Sequence, residues 1–191
     1  AHTGWAASIT SGDTVWLRAG TYSNSQWTVS FSGTSLTNLV TWRNYTNESV
    51  IIDRQWRFGN NQYHQFRGLE FTDTKKGTYG TGYPYLHFDD NGPSDGNVWV
   101  NCIVHDVQNA WSGNTAYGGL KGNIVWNVGE DVLEHTVYGG LREVSGNIFA
   151  WSSGYHLNGY TDTNAIIRSN ILFGWGTTVT QDTAGMIIGT V

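Results

Sequence analysis

The sequence predicts an all-β fold, a solenoid of stacked parallel coils. Three observations lead there. No long stretch keeps a helical apolar period, and glycine, at 25 residues, interrupts the chain every few positions. Short alternating runs dominate instead, among them Thr14–Arg18, Leu39–Arg43, Ser49–Ile52, Asn97–Val100, Asn123–Trp126 and Ala165–Arg168. An Asn just ahead of an Ile-led apolar pair then recurs at nearly even intervals, at Asn101, Asn123, Asn147 and Asn170. That period suits one coil of three short strands. An antiparallel two-sheet sandwich is the alternative fold, but Asn-Gly hairpin signals occur only at Asn91-Gly92 and Asn158-Gly159.

Taken in order, a short helix or cap is expected around Thr3–Ile9. Gly12–Tyr22 reads as a first coil that turns at Gly20. Gly68–Asp73 (GLEFTD) is a weaker early member of the repeat, with Gly68 in the Asn place. The wider interval from Gly68 to Asn101 implies an insertion, assigned to Tyr79–Asn97. Later, Tyr117–Leu120 and Tyr138–Leu141 both read Tyr-Gly-Gly-Leu, followed by a cation and then Gly-Asn-Ile. Gly or Asn between strands suits a left-handed bend that most residues avoid. Stacked coils place the four asparagines above one another as a hydrogen-bonded ladder. Alternation then points Ile103, Ile124, Ile148 and Ile171 inward, and likewise Leu120, Leu141 and Ile166 or Ile167. With a coil length of about 22–24 residues, the chain holds roughly eight coils in a single domain over 1–191. The apolar ending AGMIIGTV lacks a polar cap, which predicts a fragment of a longer chain or one without its C-terminal cap.

Composition narrows the function. Only 13% of residues are charged, about half the usual share, so neutral polar groups must build the surface. Ten Lys+Arg against 15 Asp+Glu leave a net charge of −5, and no basic run exceeds Lys75-Lys76, which argues against nucleic acid. No apolar run is long enough to span a membrane as a helix. Cys102 is the one cysteine, so no internal disulfide forms. Asn44 and Asn47 begin sequons for N-glycosylation. Ten Trp, ten Tyr and seven Phe serve a β-rich core or the stacking of sugar rings. Outward aromatics are expected once per coil at Trp99, Trp111, Trp126, Trp151 and Trp175.

The stretch Ser11–Asp53, with its GDTV, GTY, RNY and IID segments, together with GLEFTD and the GNI coils, resembles the right-handed parallel β-helix superfamily with the pectate-lyase-like fold, in particular secreted bacterial β-helix repeat proteins. The likeness covers most of the chain. It implies a right-handed coil and an extracellular or cell-surface setting. Functions on this fold range from polysaccharide lyases, epimerases and hydrolases to tailspikes and surface proteins.

Lyases of that fold act on uronate polymers with Lys or Arg as base and acid, often with calcium neutralising the carboxylate. Lys121, Arg142 and Arg168 occupy comparable places on successive coils, as a catalytic set with Arg168 on substrate or as a solvated column paired with Glu143 and Glu130. His135, His156 and Glu134 are candidate acid and base groups, with Glu130 and Asp131 nearby, or else polar loop residues and a bonded core histidine. Trp126 and Trp151 are candidates for sugar stacking. Asp89, Asp90 and Asp95, around two glycines, suit calcium or an Asp/Gly turn. The leading expectation is an extracellular protein that engages polysaccharide, with lyase-like or glycoside-hydrolase activity. The alternative is a non-catalytic structural or adhesive β-helix that associates end to end into a surface or filament assembly.

Overall fold

Three parallel sheets wind around one core. The computed structural model describes residues 8–23, 27–53, 56–57, 61–74, 76, 86–90, 96–114, 118–130, 134–140, 142–160, 165–175 and 186–189. Each sheet holds seven strands, and one strand of each in turn makes a coil. The first sheet runs Thr14–Leu17, Val40–Asn44, His64–Arg67, Val98–Val100, Gly119–Lys121, Glu143–Ser145 and Ile166–Arg168. The second runs Gly20–Tyr22, Val50–Asp53, Glu70–Thr72, Ile103–Val107, Ile124–Val128, Ile148–Ser152 and Ile171–Trp175. The third runs Trp27–Thr28, Trp56–Arg57, Leu86–Asp90, Asn109–Asn114, Val137–Gly140, Leu157–Tyr160 and Met186–Gly189. Neighbouring strands within each sheet are parallel, as in the ladders Leu120↔Val144 and Val125↔Phe149, so the fold is a parallel β-solenoid and not a sandwich. Seven strands per sheet compare with the roughly eight coils expected. The helix expected over 3–9 falls outside the described residues, save Ser8 and Ile9. No helix among the described residues is long and apolar enough to cross a membrane.

The corner between the first two sheets explains the repeat. One residue there takes positive φ: Gly68 (63°), Asn101 (53°), Gly122 (67°), Gly146 (68°) and Ser169 (56°). A Cβ on Gly122 would lie 2.5 Å from Asn101 Oδ1, so bend and close stacking both favour glycine. The next residue turns inward, and here two sequence alignments shift by one. Ile103 pairs with Ile124, so Cys102 and not Asn101 stands at the level of Asn123. Leu69, not Gly68, stands there one coil earlier. Asn101 occupies the glycine place instead.

Asn123, Asn147 and Asn170 bond in line. Asn123 Nδ2 donates to Asn147 Oδ1 at 2.9 Å, and Asn147 Nδ2 donates to Asn170 Oδ1 at 2.9 Å. Each Nδ2 also reaches a first-sheet carbonyl, of Trp99, Leu120 and Val144 respectively. Asn123 and Asn147 are fully buried with these bonds made, which removes the cost of burying an amide.

That inward residue sets the phase of the second sheet and reverses the expected isoleucine column. Strand alternation places the residue after an inward Asn outside. Ile124 is 44% and Ile171 57% exposed, while Ile103 and Ile148 are partly buried. Phe71, Val104, Val125 and Phe149 fill the inside. On the first sheet the inner column is Val15, Trp42, Phe66, Trp99, Leu120, Val144 and Ile167, while Ile166 faces out and Leu141 lies outside the described residues. Trp99 and Trp111, expected outside, are buried with rings 5.8 Å apart.

Candidate functional site

Register decides which of the expected residues meet. Lys121 and Arg168 share one file on the outer face of the first sheet, with Ser145 between them. Glu-Val-Ser fills the intervening strand, so Arg142 stands ahead of that level, its backbone N–H on the Gly118 carbonyl. The three cations therefore do not occupy matching places. Glu143, in the next file, contacts Lys121 at 2.6 Å and Arg168 at 3.5 Å. The hydrogen bond from Lys121 is the main reason its carboxyl titrates below the usual range.

The histidine group lies at the entry to the third sheet. His135 Nδ1 accepts from the Tyr155 N–H at 3.0 Å, and its Nε2 lies 3.0 Å from Asn158 Nδ2. Burial pushes this histidine down to about 4. His156 is fully buried against Phe149, and burial lowers it too. Glu134 is buried and accepts from Gln108 Nε2 and the Glu130 N–H. Glu134 and His135 tie one corner of the coil together, both ring nitrogens of His156 are buried without a hydrogen-bond partner among the described residues, and the rings of Tyr138 and Tyr155 cover His135. Asp89 and Asp90 belong to the third-sheet strand Leu86–Asp90, and Asp95 lies outside the described residues. Among the described residues, no group of three His, Cys, Asp or Glu stands close enough to hold a metal ion.

A different cluster forms on the outer face of the second sheet. Its longer strands each contain a kink at positive φ: Asp106 (52°), Asn127 (53°), Trp151 (50°) and Gly174 (65°). The kink turns these residues outward and lets Val107, Val128 and Ser152 point back in. His105 is held between acids of two coils, Nδ1 2.6 Å from Asp106 Oδ2 and Nε2 3.1 Å from Glu70 Oε1. Trp126, one coil on, stacks on the imidazole at 4.4 Å and 3°. Asn127 Nδ2 donates to Asp106 Oδ1. Burial alone would raise the Asp106 carboxyl, but the bonds from His105 and Asn127 hold it below its ordinary range.

Beside this run lies an open cleft of about 600 Å³, lined by Thr72, Asp73, Thr74, Lys76, Asp106, Asn127, Gly129 and Glu130. Lys76 Nζ donates to the Asn127 carbonyl at 2.7 Å and to Asn127 Oδ1 at 3.1 Å. Its pKa is lowered by burial, which outweighs the nearby Glu130, Asp106 and Glu134. Asp53 fixes one wall by accepting from the Thr74 N–H at 2.8 Å and its hydroxyl at 3.0 Å. On the other side, Trp151 is 58% exposed, its ring edge-on to the exposed Phe173 at 5.3 Å.

Of the expected residues, this face carries Trp126 and Trp151. Lys76, His105, Asp106, Asn127 and Glu70 were not expected. A signal for His105, Asp106 and Asn127 exists: His-Asp, Trp-Asn, Ala-Trp and Phe-Gly follow an Ile-led apolar pair at the same offset in four successive coils. No family model, curated protein or solved structure matches the chain.

Proposed function

We propose that this protein is an extracellular β-solenoid that engages polysaccharide along the outer face of its second sheet. Trp151 carries this reading. Left-handed backbone costs a non-glycine residue roughly 1–2 kcal/mol, and the ring stays mostly in water. Neither the bend nor the core gains from a tryptophan there, since Asp, Asn and Gly take the same place in the other coils. An exposed indole beside Phe173 offers a flat apolar face to a sugar ring, with Trp126 on the neighbouring strand. Lys76, Asp106, Asn127 and Glu130, further along the same face, supply donors and acceptors for hydroxyl groups.

A lyase-like reading rests on Lys76. Partial burial lowers its pKa, as a base for abstracting a proton beside a uronate carboxylate requires. Mixing the chain with neutral and uronate polymers, with and without calcium, tests both readings. Affinity electrophoresis reports binding, and absorbance of unsaturated ends reports elimination. Trp151→Ala is expected to weaken binding by up to about tenfold, the equivalent of one aromatic stack of about 0.5–1.5 kcal/mol. If no polymer retards the chain, the polysaccharide reading fails and the structural or adhesive alternative takes its place. Binding without new absorbance removes the lyase reading alone.

A further inference from the structure

We propose a second site, on the outer face of the first sheet, that binds an anionic polymer and is anchored by Arg43 and Arg67. The two arginines lie directly opposite each other on neighbouring strands. Like charges in that relation repel. Elsewhere on this side of the molecule the cations have carboxylate partners: Arg18 holds Glu48 at 2.9 Å, and Lys121 and Arg168 share Glu143. Arg43 and Arg67 have none among the described residues. Their outward neighbours on the same strands are the neutral Thr41 and Gln65.

An aromatic ring also holds the first of the pair in place. The Arg43 guanidinium lies over the Trp16 ring at 4.5 Å, which orients it, and its buried Nε has no hydrogen-bond partner. Arg67 is exposed. Trp16 stands on the strand away from Arg67, so the two planar forks, on strands about 4.8 Å apart, suit successive acid groups of one extended chain, each offering parallel N–H donors.

The file continues beyond the pair. Lys121 lies two strands past Arg67, and Arg168 two strands past Lys121, with Val100 and Ser145 between. Four of the ten Lys and Arg of a chain with net charge −5 thus stand in one line along the solenoid axis, each step about 5 or about 10 Å. A straight row of that length fits acid groups repeated along an extended chain better than a small ion. Glu143 competes with such a ligand for Lys121 and Arg168. This site goes beyond the polysaccharide contact on the second sheet, since its recognition depends on acid groups and not on sugar faces.

Affinity electrophoresis and calorimetry of the full chain with dextran, dextran sulfate and polygalacturonate test it at low and raised salt. An acidic polymer is expected to bind tighter than dextran and to weaken as salt rises. The double variant Arg43→Gln/Arg67→Gln should lose at least about tenfold in affinity for it, as the loss of a charge-assisted contact implies. Trp151→Ala should leave the preference for acidic over neutral polymer intact. Preference for dextran sulfate identifies a sulfated ligand, and preference for polygalacturonate a uronate one. Equal binding of dextran and both acidic polymers overturns the site, as does an unchanged double variant. Should the double variant not fold, Glu143→Gln decides: tighter binding supports the site, and unchanged or weaker binding rejects it. Failure of the arginine variants beside a weakened Trp151→Ala would refute this site while leaving the second-sheet contact standing.

Discussion

Along the inner face of the first sheet, Trp42, Phe66 and Trp99 stack through the early coils, with rings 6.5 and 5.4 Å apart. Leu120, Val144 and Ile167 take the same places in the later coils. The corner changes with them. Leu69 and Cys102 occupy it early, and Asn123, Asn147 and Asn170 occupy it late. The Cys102 thiol even reaches the Phe66 carbonyl at 3.5 Å, the place that each asparagine Nδ2 contacts one coil on. One cross-section is thus satisfied by aromatic area in one half and by a buried amide row in the other. A solenoid allows this because each coil has only to match its two neighbours.

Four experiments press on that contrast. Trp99→Ala should cost the most, about 3–5 kcal/mol, because a large ring between Phe66 and Trp111 leaves a cavity. Urea denaturation measures it, and a cost of only about 1 kcal/mol would mean the early coils do not depend on ring area. Acid comes next. His64 is buried, with Nδ1 accepting from Trp42 Nε1–H at 3.2 Å and Nε2 2.8 Å from the Phe31 carbonyl. Burial lowers it from 6.5 to about 4. The unfolded chain therefore binds this proton first, so stability is complete above about 6.5 and falls as the pH drops towards about 4. His64 alone contributes at most about 3 kcal/mol to that fall. His135 acts in the same window from the later coils. Denaturation midpoints followed against pH, with hydrogen exchange resolved by coil, separate the two halves; a flat profile from neutral pH down to about 4 contradicts the assignment.

Asn147→Leu should cost about 2–3 kcal/mol, since it takes the acceptor from the Asn123 N–H, one of the two bonds from Asn123 Nδ2, and the side-chain donor to the Leu120 carbonyl, while Asn170 Oδ1 keeps only the Asn147 backbone N–H. Leucine is accepted at position 69 because its neighbour on the next coil is Cys102, not an amide. The converse change, Cys102→Asn, extends the amide row by one coil and should shift stability by less than about 1 kcal/mol. A larger loss would show that the two chemistries cannot meet at that step.

The mistaken isoleucine column shows where reading the sequence stops. Alternation marks every second residue, but its phase depends on which side the preceding Asn takes. An inward polar residue looks wrong by hydrophobicity and becomes favourable only once the next coil completes its bonds. The same holds for the two candidate faces. Trp126 and Trp151 could be named from their recurrence, whereas His105 and Glu70 lie on different coils and meet only through stacking. Arg43, Arg67 and Lys121 are far apart along the chain. They fall into one file because coils of unequal length are trimmed by their turns to a common register.

What the sequence determined alone was the coil: residues able to adopt left-handed backbone recur at nearly constant spacing, and short β-rich runs between them cannot bury their apolar faces except by stacking. What the tertiary structure decided was level and side. It put Cys102 in line with the asparagines, turned the isoleucines outward, buried His135 and His156, and lined up the cations. The reason is that strand register is a relation between coils, set by backbone pairing across a full turn of the chain, and no local pattern encodes it.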